Sequence, residues 1–460
     1  MTKKSDARSN QAVFTQGSTM RHVAIMTAAS AIGLMSIFFV DAISLFYISQ
    51  LNDAAQTAAV GRAGYLLAFV IGISVGMMIG GSVLAARAIG AQRMEDARSY
   101  AGSAIIVAFL FNAGVSIILM IVRDPLLHLL NAEGAALEYA QHYLMIILPA
   151  MPFMGIGVMS MGLLRAKGDS KRAMIITLTG GILTAILDPI FIFTFGLEIT
   201  GAAIVSASVR ISFAVLGLYF LISVHDMIRW PNISRFLSDT RDLMKLSIPA
   251  VFTNLAAPMG AFMIAQAIAG YGDEAIAGQA VVDRLVPLAF GVIFALSGSV
   301  GPIIGQNAGA KLMGRVRQTL IDGMVFNLIY VTIAWGLLFL ARNAIIDIYS
   351  ATGDMALMID LFCTIVAGSF LFNGTLFVTN AAFNNLGHPL WATALNWARQ
   401  TIGVLPFIWV GAQLGDLRGI AYGAALGAVP FALLAAYLAF ALIERLTQVE
   451  LDLVEPTPAE

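Results

Sequence analysis

The sequence predicts an all-α polytopic membrane protein with twelve transmembrane helices in two pseudo-symmetric six-helix lobes. Three observations support this fold class. The 460-residue chain is 59% hydrophobic and only 12% charged, whereas soluble domains carry about 25% charged residues. Its apolar residues fall into runs that are long enough to cross a bilayer. Its two halves also share motifs at near-constant spacing.

Each predicted span is a run of about 20 or more mostly apolar residues. The run at 276–308 is long for one span, and Pro287 and Pro302 indicate that it is bent or tilted. In chain order, the twelve runs cover residues 23–49, 63–89, 99–122, 138–164, 172–196, 201–224, 245–271, 276–308, 319–341, 357–384, 390–414 and 419–443.

The polar stretch 225–241 divides these runs into two sets of six. The first twenty residues are polar and lack the early apolar stretch of a cleavable signal peptide. The expected domains are a cytoplasmic tail (1–22), an N-lobe (23–224), a cytoplasmic linker (225–244), a C-lobe (245–443) and a second tail (444–460).

The distribution of basic residues predicts the orientation of the chain. Of the 26 Lys and Arg residues, 19 fall in segments on one side of the predicted spans and 5 on the other, while Arg210 and Arg399 lie within spans. Cytoplasmic loops carry the excess of positive charge. Both termini are therefore expected in the cytoplasm of a cell with the protein in its plasma or inner membrane.

The two halves repeat at a near-constant offset. The offset that aligns Gly168 with Gly387 also aligns the segment 89–98 with 308–317. The triplet Gly81-Ser82-Val83 recurs as Gly298-Ser299-Val300, at an offset that is smaller by two. Six spans per half is an even number, so both halves enter the membrane in the same sense. We expect their symmetry axis to lie along the membrane normal, with a cavity between the lobes.

Two carboxylates interrupt the apolar runs of the first half. Asp41 lies 17 residues into the first span and Asp188 lies 16 residues into the fifth, both roughly 25 Å along a helix from the predicted cytoplasmic side. An ionisable group inside a membrane costs about 2.5–3.5 kcal/mol on insertion scales and usually has a partner, a cavity or a function. The shared depth predicts one site for both acids.

The second half contains neither acid. Asp41 falls opposite Pro258 or Met259, and Asp188 falls near Pro406 and Phe407. An architectural role would have been duplicated with the fold, so this asymmetry favours a functional site in the N-lobe. The alternative is that each acid pairs with a basic residue such as Arg210 or caps a broken helix.

The neighbours of Asp188 are suited to cation binding. Pro189 cannot donate a backbone hydrogen bond and frees a carbonyl near position 185. Thr184 lies one helical turn earlier on the same face, and the Gly180-Gly181 pair allows close helix approach. A carboxylate, a hydroxyl and free carbonyls can bind Na⁺ or hold a proton. Asp41, Asp188 and Thr184 are therefore the predicted cation-coupling residues.

The substrate cavity is predicted from methionines of the fourth span, a phenylalanine close to Asp41 and asparagines of the C-lobe. Surfaces that are rich in methionine adapt to varied ligands. Most methionines of the fourth span are nevertheless explained more simply by helix packing. The asparagines either line a cavity or join helices. The candidate cavity residues are Phe38, Met154, Met161, Asn254, Asn373 and Asn380.

Other residues give no catalytic pattern. Asp283 and Asp360 are explained at least as well by ion pairing or by exposure at the membrane interface. The single cysteine, Cys363, forms no disulfide framework, and the five histidines have no metal-ligand spacing. We expect no enzyme activity, no cofactor, no bound metal beyond a possible Na⁺ at Asp41 and Asp188, and no nucleic-acid partner.

Several motifs resemble the multidrug and toxic compound extrusion (MATE) family across nearly the whole chain. The motifs are Leu163-Leu164-Arg165-Ala166-Lys167-Gly168-Asp169-Ser170-Lys171-Arg172-Ala173, Leu187-Asp188-Pro189, Gly201-Ala202-Ala203, Val40-Asp41 and Ala58-Ala59-Val60-Gly61. The resemblance implies export of cationic and amphipathic compounds by antiport with H⁺ or Na⁺, and it places Asp41 and Asp188 in the cation site of the N-lobe.

The seventh span contains no acid, and the tenth contains only Asp360, near its start. This pattern resembles the DinF-like or another N-lobe-coupled branch. Two features depart from the family pattern. Thr184 stands where an asparagine is common, and the first span lacks the usual early proline, for which Gly33 is the candidate flexible point.

The sequence therefore predicts a monomeric, cation-coupled exporter whose partners are small organic cations and membrane lipid. A related flippase for a lipid-linked substrate is the main alternative, although that class would favour a cationic cavity. A channel or a scaffold is less consistent with two pseudo-symmetric halves.

Overall fold

The computed structural model describes residues 12–51, 53–130 and 132–454, and all regular elements in these ranges are helices. Within them, the side chains of residues 39–42, 45, 49, 54, 262, 269, 415 and 450–454 lie outside the description. The all-α fold class predicted from the sequence is confirmed.

The first half contains seven α-helices. They are α1 (Thr19–Ser49), α2 (Ala54–Gly90), α3 (Met94–Leu129), α4 (Gly134–Ile147), α5 (Met151–Lys167), α6 (Ser170–Pro189) and α7 (Glu198–Tyr219). A 3₁₀ turn, Leu148–Ala150, joins α4 to α5, so these two helices form one span that is interrupted at Pro149. Short π-helical segments, Ile190–Thr194 and Phe220–Val224, follow α6 and α7.

The second half contains eight α-helices. They are α8 (Ile233–Ala269), α9 (Asp273–Gly309), α10 (Met313–Ile348), α11 (Gly353–Thr364), α12 (Phe370–Leu386), α13 (Pro389–Ala398), α14 (Leu405–Gly427) and α15 (Val429–Val454). A 3₁₀ turn, Val366–Ser369, lies between α11 and α12, and a π-helix, Arg399–Val404, lies between α13 and α14.

The backbone confirms the internal repeat. The offset that takes Gly168 to Gly387 also takes the first residues of α2, α3, α4, α5 and α6 to those of α9, α10, α11, α12 and α13, respectively. Left-handed turn residues follow this repeat offset as well, because Gln92 and Lys311 have φ angles of 60° and 58°. Gly168 and Gly387, at 95° and 91°, end α5 and α12 in the same conformation. Duplication therefore extends to single turn residues.

The predicted eleventh span, 390–414, is divided among several elements. Eleven helices of the described ranges are long and apolar enough to cross a membrane. This span, which runs through α13, the π-helix and the first part of α14, is not among them. Within α14 the chain reverses at Asp416, where φ is +54°. A Cβ added at Gly411 would overlap the carbonyl oxygen of Gly419. The eleventh and twelfth spans thus form a tight glycine-packed hairpin.

The described chain forms two compact units that differ from the predicted lobes at their edges. The first contains residues 32–251, and the second contains residues 12–31 and 252–454. Helix α1 therefore begins in the C-lobe unit and continues in the N-lobe unit, whereas α8 begins in the N-lobe unit and continues in the C-lobe unit. The predicted linker, 225–244, is largely helical because α8 begins at Ile233.

Residues 12–19 pack into the C-lobe unit. The Phe14 side chain is 2% exposed and belongs to the same apolar cluster as Ile303 and Val316. Its amide donates to Gln306 Oε1 (2.9 Å), and its carbonyl accepts from Arg315 Nη2 (2.8 Å). Thr19 Oγ1 donates to the buried Asp322 carboxylate. Apolar burial and satisfied polar groups together hold this segment on α9 and α10.

The start of α8 packs into the N-lobe unit in a corresponding way. The buried Asp239 carboxylate accepts from Ser99 Oγ (2.7 Å) and Ser103 Oγ (2.9 Å) of α3. Ser103 and Asp322 correspond at the repeat offset, so both lobes have a hydrogen bond between a hydroxyl and a carboxylate at this place. In the N-lobe the carboxylate belongs to the incoming helix α8, whereas in the C-lobe it belongs to α10 of the lobe itself. Further along α8, a Cβ added at Gly80 would overlap Ser247 Oγ, so α2 and α8 approach closely here.

Candidate functional site in the N-lobe

Asp188 lies at the end of α6, directly before Pro189 and the π-helix Ile190–Thr194. Its side chain is 1% exposed. Both carboxylate oxygens are buried, and neither has a hydrogen-bond partner among the described residues. Buried polar groups are normally paired, because desolvation without a compensating bond is costly. The Asp188 carboxylate is therefore available to a proton, a cation or a cationic ligand.

Thr184 lies one turn before Asp188 and is also buried. Its hydroxyl donates to the carbonyl oxygen of Gly180 (3.0 Å), so the proton of the hydroxyl is engaged while its oxygen can still accept or coordinate. Gly180 itself packs against Phe213 of α7, where an added Cβ would overlap the ring. The predicted close approach at this glycine is confirmed.

Helix α1 lies against α6 on the side that carries Asp188. A Cβ added at Gly33 would overlap Thr177 Oγ1. Eleven residues further along both helices, the Ser44 hydroxyl is close enough to interact electrostatically with Asp188, although the pair does not meet the geometry of a hydrogen bond. Ser44 is thus part of the site, and its position one turn after Asp41 in an apolar run was the available sequence signal.

The side chain of Asp41 lies outside the described residues. Its helix is described, and position 41 falls one turn before Ser44 on α1. The structure therefore brings the helix that carries Asp41 against the helix that carries Asp188. The predicted pairing of the two acids stays a prediction.

Arg210 is not the partner of Asp188. Arg210 Nη1 donates to the carbonyl oxygen of Ser206 (2.7 Å), and Nε donates to Met151 Sδ (3.2 Å). The alternative in which Arg210 neutralises the fifth-span acid therefore does not apply, because both Asp188 oxygens are without a hydrogen bond.

The predicted cavity residues of the N-lobe are distributed between packing and partial exposure. Phe38 and Met154 are half-buried, whereas Met161 is 5% exposed and packs within the lobe. The neighbouring Met159 is fully buried, with its sulfur 2.5 Å from a Cβ added at Gly81. This contact is helix packing. The substrate role of Phe38, Met154 and Met161 stays a prediction.

The predicted cavity residues of the C-lobe take part in polar contacts. Asn373 accepts a hydrogen bond from Arg399 Nη1, and Asn380 accepts one from Asn396 Nδ2 (2.9 Å). Asn254, which is half-buried, also has a polar interaction. The contacts of Asn373 and Asn380 join α12 to the segment that follows it. The substrate role of the three asparagines stays a prediction.

The remaining predicted acids have partners. Asp283 Oδ1 accepts a hydrogen bond from Gln279 (2.8 Å), and Asp360 lies 3.5 Å from Arg342 Nε. Among the described residues, no group of three or more His, Cys, Asp or Glu side chains could hold a metal ion. Asp188 therefore differs from these two acids in being buried without a partner.

Comparison with known proteins gives one family. The MatE family model matches residues 29–190 and 249–410, which are the corresponding parts of the two halves. Two curated relatives are similar over most of their length. A protein named FAD transporter from Shewanella oneidensis is 26% identical over 86% of this chain and 88% of its own. The multidrug export protein MepA of Staphylococcus haemolyticus is 24% identical over 92% of this chain and 93% of its own.

A solved structure gives the same fold. The MATE transporter VcmN of Vibrio cholerae in its bent form superposes with a TM-score of 0.86, at 25% identity. The match covers 95% of this chain and 98% of VcmN.

Proposed function

Since this chain belongs to the MATE family of efflux transporters, we propose that it exports cationic and amphipathic organic compounds in exchange for H⁺ or Na⁺. The chain is thus a membrane transporter and not an enzyme. The proposal includes a monomer in the plasma or inner membrane with both termini in the cytoplasm, supported by the distribution of basic residues.

The observation that carries the proposal is the buried Asp188 carboxylate in a membrane helix, which has no hydrogen-bond partner in the part of the chain that the structure describes. A proton would neutralise it, and Na⁺ would be coordinated by its oxygens with help from Thr184 and Ser44. An organic cation would also be attracted to the ionised form. Ion and substrate therefore compete for one negative charge, which is the requirement for exchange.

The proposed cycle is alternating access. The coupling ion binds at Asp188 and Asp41 when the site faces outward, and this lowers the affinity for the cationic substrate. The ion leaves on the inner side, and the regenerated carboxylate accepts the next substrate. An inward-moving monovalent cation gains about 2.3 kcal/mol per 100 mV of membrane potential.

The test is ethidium transport in proteoliposomes under a pH gradient or a Na⁺ gradient, each imposed separately. Wild-type protein is expected to transport ethidium with at least one of the two gradients. Asp188→Asn keeps the shape of the side chain but removes its charge, so it is expected to abolish gradient-driven transport while the protein still inserts and purifies normally.

Asp360→Asn is the matched control, because it makes the same chemical change at an acid that is paired with Arg342. It is expected to retain transport. Full activity of Asp188→Asn, or equal loss in both variants, would contradict the role of Asp188. Dependence on only one gradient would identify the coupling ion.

A further inference from the structure

The helix pair that carries the N-lobe site has a counterpart in the C-lobe. Trp397 Nε1 donates to the carbonyl oxygen of Phe252 (3.0 Å), which joins α13 to α8. Thr253 and Thr393 form a second bond between these helices (2.9 Å). Phe252 corresponds to Gly33 at the repeat offset, so α8 and α13 correspond to α1 and α6.

The counterpart pair lacks the acids. At the offset that the helix starts share, position 41 corresponds to Gly260 rather than to Pro258 or Met259. The carboxamide of Gln400 occupies the space beside this glycine, where an added Cβ would overlap it. Position 407 corresponds to position 188 and is a phenylalanine. Directly after α13 the C-lobe instead has Arg399, which corresponds to a glycine at position 180.

Arg399 is a cation without a counter-charge. Its Nη1 donates to Asn373 Oδ1, a neutral amide, and its Nε is buried without a hydrogen-bond partner. No ion pair involves it among the residues that the structure describes. A guanidinium in a membrane segment is costly unless it is paired, and such residues commonly mark substrate pathways.

The backbone is also altered at this residue. The π-helix Arg399–Val404 begins at Arg399, whereas the corresponding part of α6 remains α-helical through Gly180. Single π-helical turns occur frequently at functional sites. The π-helix of the C-lobe therefore begins at Arg399, the same residue that has no ion-pair partner among the described residues.

We propose that Arg399 and Asn373 form a binding site for an anionic group of the substrate, either a carboxylate or a phosphate. The planar guanidinium fork suits both groups. Both residues keep part of their surface exposed. The bonded amides of the buried Asn380 and Asn396 add polar groups one turn before Arg399. The inference rests on the proposed transport function and extends its substrates to zwitterionic amphiphiles.

The test uses two fluorescent dyes of nearly equal shape. Rhodamine B is a zwitterion with a free carboxylate, and its ethyl ester is a cation. Binding of each dye to the purified protein in nanodiscs is measured by fluorescence polarisation. Wild-type protein is expected to bind both dyes. Arg399→Gln is expected to weaken rhodamine B binding about tenfold or more, since a charge-assisted bond is lost, with less than about a twofold change for the ester.

Two further variants control the measurement. Arg418→Gln removes the same charge from an exposed position in the same half and is expected to leave both affinities unchanged. Arg399→Lys keeps the charge without the fork and is expected to keep part of the preference for rhodamine B. Unchanged binding of the ester also shows that the Arg399 variants are folded.

Each outcome separates the two proposals. An unchanged affinity of Arg399→Gln for rhodamine B, or an equal loss for both dyes, would overturn the anionic-group site. Binding of neither dye by the wild-type protein would overturn it as well. Absence of gradient-driven transport of the ester by wild-type protein would instead contradict the proposed cation export while leaving the acid-to-ester comparison intact.

Discussion

At the residue scale, two carboxylates of the N-lobe unit lie in opposite environments. Asp188 has no hydrogen-bond partner among the described residues, whereas Asp169, in the loop before α6, accepts three hydrogen bonds. It accepts from His225 Nε2 (2.8 Å), from the Arg172 amide (3.1 Å) and from the Arg172 guanidinium. Burial alone would raise the pKa of Asp169, but these bonds outweigh it and lower the pKa to about 2. Asp169 thus stabilises the folded loop, whereas Asp188 has no such bonds among the described residues and can bind an ion or a proton.

The lowered pKa of Asp169 predicts a pH-dependent contribution to stability. The folded state favours the ionised form, so the contribution is fully present above the unfolded pKa of about 3.9 and is lost as the pH falls toward 2. Asp169→Asn removes the charge and is expected to lower the melting temperature at pH 7. The difference from wild type should shrink as the pH falls from about 5, as measured by thermal unfolding of the purified protein.

The control is Asp242→Asn, which breaks the more exposed pair with Lys245 (3.1 Å). Exposed ion pairs contribute about 0–1 kcal/mol, so little change is expected. Asp169→Ala should cost about 1 kcal/mol more than Asp169→Asn, because Asp169 also caps α6 and asparagine can keep that role. A pH-independent difference for Asp169→Asn would contradict this interpretation.

The sequence could identify a site residue only where its side chain differed in polarity from its neighbours along the chain. Asp188 and Thr184 could be selected because a charged and a hydroxyl residue stand out in an apolar run at helical spacing. Ser44 gave a weaker signal, because a hydroxyl one turn after Asp41 does not by itself show that it faces Asp188. The unpaired state of Arg399 could not be predicted, because it depends on side-chain contacts that only the folded structure defines. The alternative pairing of Arg210 with Asp188 could be decided only from the structure, where Arg210 bonds to Ser206 and Met151.

At the element scale, the site depends on the close packing of α1 on α6. Gly33 is the contact point, since an added Cβ would overlap Thr177 Oγ1 but lie 3.5 Å from Thr177 Cβ. Gly33→Ala is therefore expected to destabilise the protein by about 1–3 kcal/mol through overpacking. The measurement is the melting temperature, together with gradient-driven transport, because the two helices carry Asp41 and Asp188.

The double variant Gly33→Ala/Thr177→Ala removes the clashing oxygen and leaves an ordinary van der Waals distance. It is expected to recover most of the lost stability, whereas Thr177→Ala alone should have a small effect. Gly61→Ala is a second control, because nothing lies within 4 Å of a Cβ added there. If the double variant were no more stable than Gly33→Ala, the contact between Gly33 and Thr177 would not limit the packing.

Element boundaries followed from the sequence where apolar runs were separated by polar loops. The eleventh and twelfth runs are separated by only four residues, 415–418, and the structure turns them tightly at Asp416 within one helical segment. The glycines of this hairpin fit together by backbone approach, which hydropathy does not register. The interruptions at Leu148–Ala150 and Val366–Ser369 were likewise hidden inside predicted spans.

At the scale of the whole molecule, the first turns of α1 and α8 are packed into opposite units. Phe14 anchors the first of these segments, and large-to-small changes at such sites cost about 3–5 kcal/mol. Phe14→Ala is therefore expected to lower the melting temperature strongly, because it leaves a cavity in the C-lobe core. Val13→Ala, at a position that is 47% exposed, is the control and should change it little.

A melting temperature of Phe14→Ala equal to that of Val13→Ala would show that this segment does not stabilise the C-lobe. The arrangement was not predictable from the sequence. The sequence predicts a tail for residues 1–22 and a linker for residues 225–244 because both segments are polar. The residues that pack around their few apolar side chains, such as Phe14, lie far away in the chain. The repeat and the class of fold were predictable because they depend on composition and spacing alone.

Helices α1 and α8 each begin in the unit formed mainly by the other half of the chain. This arrangement has a consequence for the order in which the contacts can form during synthesis. The hydrogen bond from the Phe14 amide to Gln306 forms only after Gln306 has been synthesised, 292 residues later. The N-lobe is completed only when Asp239 and Ser247 have been added beyond its six spans. A nascent chain that stops between the halves therefore has an unfinished first lobe and an unmatched N-terminal segment. Synthesis of the first six spans is thus not sufficient to complete the polar contacts of the N-lobe, which also need the first half of α8.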